Sequence, residues 1–267
     1  MEPTERGIFL ATFIQIVLLF FCYSFIGWAW ETVYCSIKAR KFQYRGFLIG
    51  PITPIYGFGI LAVLYFLEPL HDNLLLLYVA ATIIVTVLEY VTSFGLEKLF
   101  HASWWDYKDV PLNINGRVAV PVSLFWGVGC VFIVKILNPQ VLHLEEWLAS
   151  HFGFLLPVFL IALISFDLGY TLANMAAFQA AVKRLNATVD NRKEELKGAW
   201  ETSKEDVQQR LNWGKYLGDH PEEASNLPRL NFNQRRLLKN FPHLRLSNVK
   251  NGQELRQLVE DLRKGFK

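Results

Sequence analysis

The chain has 267 residues, of which 52% are hydrophobic, 15% aromatic and only 19% charged, a balance that points to a membrane protein before any pattern is considered. Its three cysteines, Cys22, Cys35 and Cys130, lie in or beside apolar stretches and form no CxxC pair, which argues against a disulfide framework or a zinc site and leaves them as small buried hydrophobes. The formal net charge of +3 conceals two different parts: Met1–Phe178 carries 9 Lys/Arg against 12 Asp/Glu, whereas Gln179–Lys267 carries 18 against 12.

The first apolar run, Ile8 to about Trp30, exceeds the apolar core of a signal peptide, follows a leader that is not basic and has no small-residue cleavage site after it. It is expected to remain as a spanning helix. A basic connection with Lys38, Arg40, Lys41 and Arg45 leads to Gly46–Gly59, rich in Gly and Pro, and to a second apolar run over about Pro54–Leu67. That run is short against the roughly 20 residues a span requires, unless Phe47–Pro51 is already at membrane depth. Its glycines and prolines predict a broken start, which lipid tolerates only where protein or a watery cavity satisfies the backbone.

The third run covers about Asn73–Leu96, the fourth about Val118–Leu137 and the fifth about Phe152–Phe178. The fold class expected is therefore all-α, a polytopic membrane protein of about five transmembrane helices, one of them broken near its start. Ala181–Leu217 has helical spacing of apolar residues (Val182, Leu185, Val189, Leu196, Trp200, Val207, Leu211) and reads as a long amphipathic helix leaving the membrane. Short helical pieces follow around Asn233–Asn240 and Gly252–Lys264. We thus divide the chain into a transmembrane domain, residues 1–178, and a basic, helical cytoplasmic tail, residues 179–267.

Lys and Arg near the helix ends set the orientation. Lys38, Arg40, Lys41 and Arg45 lie in the first connection, Lys98, Lys108 and Arg117 in the third, and Lys183 and Arg184 after the fifth run, whereas the other set offers only Arg6 in the leader, with none in Glu68–Asn73 or Asn138–His151. The positive-inside rule places the N-terminus outside and the C-terminus in the cytoplasm, so that the basic tail is drawn to anionic lipid of the inner leaflet.

With that topology, Glu31, Glu89 and Asp167 all fall in the cytoplasmic third, level with Arg45 and with the connection Trp104–Arg117, which holds Trp105, Asp106, Tyr107, Asn113, Asn115 and Arg117. Isolated charges at that depth cost several kcal/mol each unless paired or hydrated, so these residues are expected to form one cluster open to the cytoplasm. Each also has a plainer explanation. Glu31 suits an interfacial carboxylate near Lys38 or Arg40, and Glu89 or Asp167 a structural ion pair. Arg45 and Arg117 suit inside-positive anchors as well as bidentate binding of phosphate or carboxylate. The tryptophans and Tyr107 suit an aromatic belt, and Asn113, Asn115 and Gly116 a turn. The six histidines have no ligand-like spacing, no Walker motif or dinucleotide fingerprint occurs, and neither a cofactor nor a nucleic-acid partner is expected.

Trp28-Ala29-Trp30-Glu31, Arg45-Gly46 with Gly50-Pro51, Pro54, Tyr56-Gly57 and Gly59, then Glu89, Trp105-Asp106-Tyr107, Asn113, Asn115-Gly116-Arg117, Ser123 and Trp126-Gly127 form a spaced pattern over about Phe13–Gly127. This pattern resembles the CmpB-like family of type IV ABC-transporter permeases, to which a group of eukaryotic transmembrane proteins also belongs. The resemblance implies a membrane permease component; the chain holds no nucleotide-binding domain, so an ATPase would be a separate polypeptide, and five helices suggest a homo-oligomer or another partner. Three functions follow as expectations. The first is transport or binding of a small charged solute or lipid head group in a cytoplasm-facing pocket. The second is an intramembrane enzyme acting on phospholipid head groups, with Glu89, Asp106 or Asp167 as base and the arginines on phosphate, although no nucleophile–base spacing supports it. The third is a scaffold or sensor acting through its tail.

Overall fold

The computed structural model describes residues 5–100 and 102–199, and beyond them only residues 222, 227, 230–232, 234–236 and 245–246. Six α-helices dominate it: α1 (Glu5–Ala39), α2 (Pro54–Phe66), α3 (Leu74–Phe100), α4 (Val120–Phe132), α5 (Asn138–Phe152) and α6 (Leu155–Ala199). Among the described residues four helical stretches are long and apolar enough to cross a membrane: Gly7–Ala39, Leu74–Leu99, Val120–Phe152 and Leu155–Asn191. The all-α, multiply spanning class expected from the sequence holds, with the second apolar run standing apart as a helix of 13 residues.

The chain divides into two compact units, Met1–Leu99 with Trp104–Thr171, and Phe100–Ser103 with Leu172–Lys267. In the first unit α1 buries one face, including Leu18, Leu19, Phe21 and Tyr23, and leaves Ile8, Phe9, Ile16, Phe25 and Ile37 exposed. Outward apolar side chains of this kind match a lipid surround. A core of Leu19, Tyr23, Ile60, Val63, Leu77, Ala81, Cys130, Val134 and Val141 joins α1, α2, α3, α4 and α5. Glycines set the closest crossings. A Cβ on Gly57 would stand 2.7 Å from the backbone carbonyl of Phe20, and one on Gly27 would run into the ring of Tyr56, so α1 and α2 pack nearly backbone to backbone.

Two expectations are corrected. Asn138–His151, read as an exterior connection, is helical: α4 passes through a π-helical turn, Ile133–Leu137, directly into α5. Pro139 supplies the reason. It has no N–H to return to the carbonyl four residues back, and the ladder slips by one residue so that the Asn138 N–H bonds to the Ile133 oxygen instead. The fifth apolar run and the amphipathic stretch after it are likewise not separate, because nothing between Phe178 and Ala181 breaks a helix and α6 continues from Leu155 to Ala199. Within the second unit Met175, Phe178, Val182, Leu185 and Val189 form its buried stripe at helical spacing, as the apolar periodicity suggested for the last three. Leu196, Trp200, Val207 and Leu211, and the piece at 252–264, lie outside the described residues or their described side chains. A two-stranded pairing, Ala102 with Leu246 and Ser103 with Arg245, belongs to that unit as well.

Candidate functional site

Residues 42–53 are not helical, and their backbone polar groups are taken up by α1 in a descending series. The Gln43 N–H donates to Ser36 Oγ at 2.9 Å, the Arg45 N–H to Thr32 Oγ1 at 3.4 Å, Trp28 Nε1 donates to the Arg45 carbonyl at 3.0 Å, and the Thr53 N–H reaches the Ser24 carbonyl at 3.0 Å. From Ser36 to Ser24 the segment runs back along α1 for a distance of about 18 Å at roughly 1.5 Å per residue. Only then does Pro54 begin α2. The short second run is therefore irregular backbone first and helix afterwards, and Gly46, at φ +100°, makes the turn that a side chain would resist.

The same segment is held from the other side by Asp167 of α6. Its two carboxylate oxygens accept the N–H groups of Ile49 (2.9 Å) and Gly50 (2.6 Å), and Thr171 Oγ1 donates to it at 3.1 Å. A carboxylate is the acceptor suited to two adjacent backbone donors that have no strand or helix partner.

Arg45 turns its guanidinium to Glu31, with Nε at 2.9 Å and Nη2 at 2.7 Å from one carboxylate oxygen. Both side chains are largely covered, at 14% and 22% exposed. Across from them Tyr107 donates its hydroxyl to Glu89 at 3.0 Å. These pairs belong together. The half-buried Tyr56 lies within electrostatic reach of Glu31, Arg45, Glu89 and Tyr107, and Glu31 acts on Tyr107 in turn. Burial, then the charge of Glu89 and the hydrogen bond to it, then Glu31, hold the Tyr107 phenol well above its ordinary pKa, so it stays a neutral donor. Glu31, whose charge is matched by Arg45, contrasts with Glu89, which has no cation within ion-pair distance among the described residues.

The connection between α3 and α4 is a hairpin rather than a tether, with Asn113 paired to Ala119 and Ile114 to Val118. Much of its polarity is consumed in building it. Asp106 Oδ1 accepts the Lys108 N–H (3.0 Å), Asn113 Oδ1 accepts the Gly116 N–H (3.0 Å) while its amide donates to the Val110 carbonyl (2.9 Å), and Trp105 Nε1 donates to the Arg117 carbonyl (2.8 Å). Asn115 and Gly116 both adopt positive φ, as Asn-Gly in a turn does. The rest ties the hairpin to α3. Asn115 donates to the Tyr90 hydroxyl at 3.1 Å, and Arg117 pairs with Glu97 while its guanidinium stands 5.6 Å from the ring centres of Tyr90 and Phe94.

The ten sequence candidates are thus distributed over three contacts. Glu31, Arg45, Glu89 and Tyr107 share one electrostatic neighbourhood, Asp167 holds the broken segment beside it, and Arg117 with Trp105, Asp106, Asn113 and Asn115 builds and docks the hairpin. Tyr56 and Glu97 were not among the candidates. Tyr56 was masked by standing in a Gly/Pro-rich motif, and Glu97 by its place near a helix end, where a carboxylate is cheaply hydrated. Among the described residues no group of three or more His, Cys, Asp or Glu could hold a metal ion.

Residues 18–172 match the family model described as "Putative ABC-transporter type IV" (CmpB). The chain belongs to this CmpB family. The match extends past Gly127, where the motif resemblance thinned out, and takes in Asp167 together with Glu31, Arg45, Glu89 and the hairpin. With its four long apolar helices, the chain is a multi-pass membrane protein of ABC-transporter type. No curated protein and no solved structure matches it.

Proposed function

We propose that this CmpB-family protein is the membrane component of a transport system and that Glu31, Arg45, Tyr56, Glu89 and Tyr107 form its binding site for a small charged solute or lipid head group. The observation that carries the reading is the broken segment 42–53 laid along α1 beside ionisable side chains of α1 and α3. Discontinuous elements next to buried ionisable side chains are a recurrent construction of transporter sites. The Lys/Arg distribution supports a cytoplasmic opening, with the N-terminus outside and the C-terminus inside. Energy would come from an ATPase on a separate polypeptide, as the family description implies, and the pathway would be completed by a second copy or that partner. Anionic lipid of the inner leaflet would hold the basic tail.

Transport into proteoliposomes containing the full chain and its co-purifying partners tests this reading. Glu89→Gln and Tyr107→Phe are each expected to lower flux at least about tenfold, the loss of roughly 1.4 kcal/mol, while the proteins remain monodisperse. Unchanged flux in both variants would remove the site from the pathway.

A further inference from the structure

A second polar site lies within the first unit, at the end of α2 remote from the Glu31–Arg45 pair. A cavity of about 400 Å³ opens between α1, α2, the α2–α3 connection, α3 and the π-helical turn. Its walls are aliphatic, with Leu19, Val63, Leu67, Leu77 and Val134 buried around it. Its rim is not: Gln15, Glu68, His71 and Asn138 also line it. Glu68 and His71 are one turn apart, the His71 N–H bonding to the Glu68 carbonyl at 3.1 Å. The Lys135 ammonium stands 3.0 Å from His71 Nδ1. Asn138 receives the hydroxyl of the buried Tyr23 at 2.6 Å, which fixes its side chain at the cavity edge. Asp72 also approaches His71 Nδ1, at 3.5 Å, with its carboxylate fully exposed; Glu68 and His71 stand exposed at the rim as well.

We infer that this cavity binds a small zwitterion with an aliphatic body, its ammonium on Glu68, its anionic group on Lys135 and His71, and its hydrocarbon among Leu19, Val63, Leu77 and Val134. Opposite charges at the rim of an open aliphatic cavity complement such a ligand at both ends at once. A simple amine or a simple acid satisfies only half of the rim. The volume suits a molecule of the size of leucine, since small-ligand pockets begin at about 300 Å³. The π-helical turn belongs to the construction. Val134 within it and Asn138 just after it both line the cavity, and such turns recur at functional sites. This site is independent of the Glu31–Glu89 neighbourhood, and the Lys/Arg distribution places it on the external side.

The test uses the full chain in nanodiscs of phosphatidylcholine, titrated calorimetrically with leucine, with isoamylamine and with 4-methylpentanoate. Leucine is expected to bind at least about tenfold more tightly than either analogue. Glu68→Gln should weaken leucine and the amine but not the acid, Lys135→Gln should weaken leucine and the acid but not the amine, and Val63→Trp should abolish all three by filling the chamber. Glu68 lines the cavity mouth and Lys135 stands against His71 there, and circular dichroism and gel filtration check that both variants are folded. If only phosphatidylethanolamine added to the disc stabilises the protein, and Glu68→Gln removes that effect, the same chemistry is supplied by a lipid. Absence of binding by all these probes, or leucine binding indifferent to both rim variants, overturns the inference. Neither result touches the flux test at Glu89, so the two readings fail separately.

Discussion

Asp167 and Tyr107 show how single side chains hold irregular backbone and charge at depth. Removing the Asp167 carboxylate leaves the N–H groups of Ile49 and Gly50 without their acceptor. Each orphaned donor costs on the order of 1–3 kcal/mol, so Asp167→Ala is expected to lower thermal stability in detergent substantially. Asp167→Asn, which keeps one acceptor oxygen in place, should lower it less, and equal losses would show that the carboxylate does not hold the segment. Tyr107 makes a pH-dependent contribution. Its folded pKa is raised above the unfolded value of about 10, so the unfolded chain releases the proton first and stability falls as pH rises past about 10. Unfolding midpoints across the alkaline range, compared between the wild type and Tyr107→Phe, should show a steeper decline in the wild type. At this scale the sequence revealed that charges such as Glu89 sit in apolar surroundings, but it could not reveal partners. Arg117 meets Glu97 and not a shared pocket with Arg45, because the hairpin returns along α3 and hydrogen bonding across 20 residues leaves no local trace.

The elements are governed by where backbone can approach backbone and where it must break. Gly57 and Gly59 stand two residues apart on α2, yet only Gly57 faces Phe20 and Ser24 of α1, while a Cβ on Gly59 would meet nothing nearer than Leu88 at 4.0 Å. Gly57→Ala is therefore expected to destabilise by about 1–3 kcal/mol through overpacking, and Gly59→Ala to be neutral or slightly stabilising through helix propensity. Denaturant unfolding of the two variants in detergent decides it, and equal effects would contradict the crossing. The broken start of α2 could be read in the Gly/Pro pattern, since those residues punctuate any backbone. The continuity of α4 with α5 could not, because Pro139 signals a stop whereas a π turn upstream supplies an alternative acceptor geometry. Within Asn138–His151, Glu145 is only 4% exposed, as a residue on the inward face of a helix is.

For the whole molecule, the charge distribution yields a prediction of topology. A fluorescent protein fused at the C-terminus should fluoresce, and alkaline phosphatase inserted in the Glu68–Asn73 connection should be active, if the positive-inside assignment holds. The reverse pair of results would invert both the proposed cytoplasmic opening and the external zwitterion site. Membrane class and kinship with the CmpB family were both determined by the sequence alone, because they depend on composition and on motifs contiguous along the chain; the number of long apolar helices was not, since five runs were expected and the described residues hold four long helices and one of 13 residues. Tertiary structure alone decided that residues 42–53 fold back along α1, that Asp167 caps them, that Glu31 neutralises Arg45 while Glu89 is left to Tyr107, and that a separate cavity forms at the far end of α2. Those outcomes rest on which orphaned donors and unpaired charges meet when the helices pack, and such meetings are set by distance in space, which spacing along a chain does not encode.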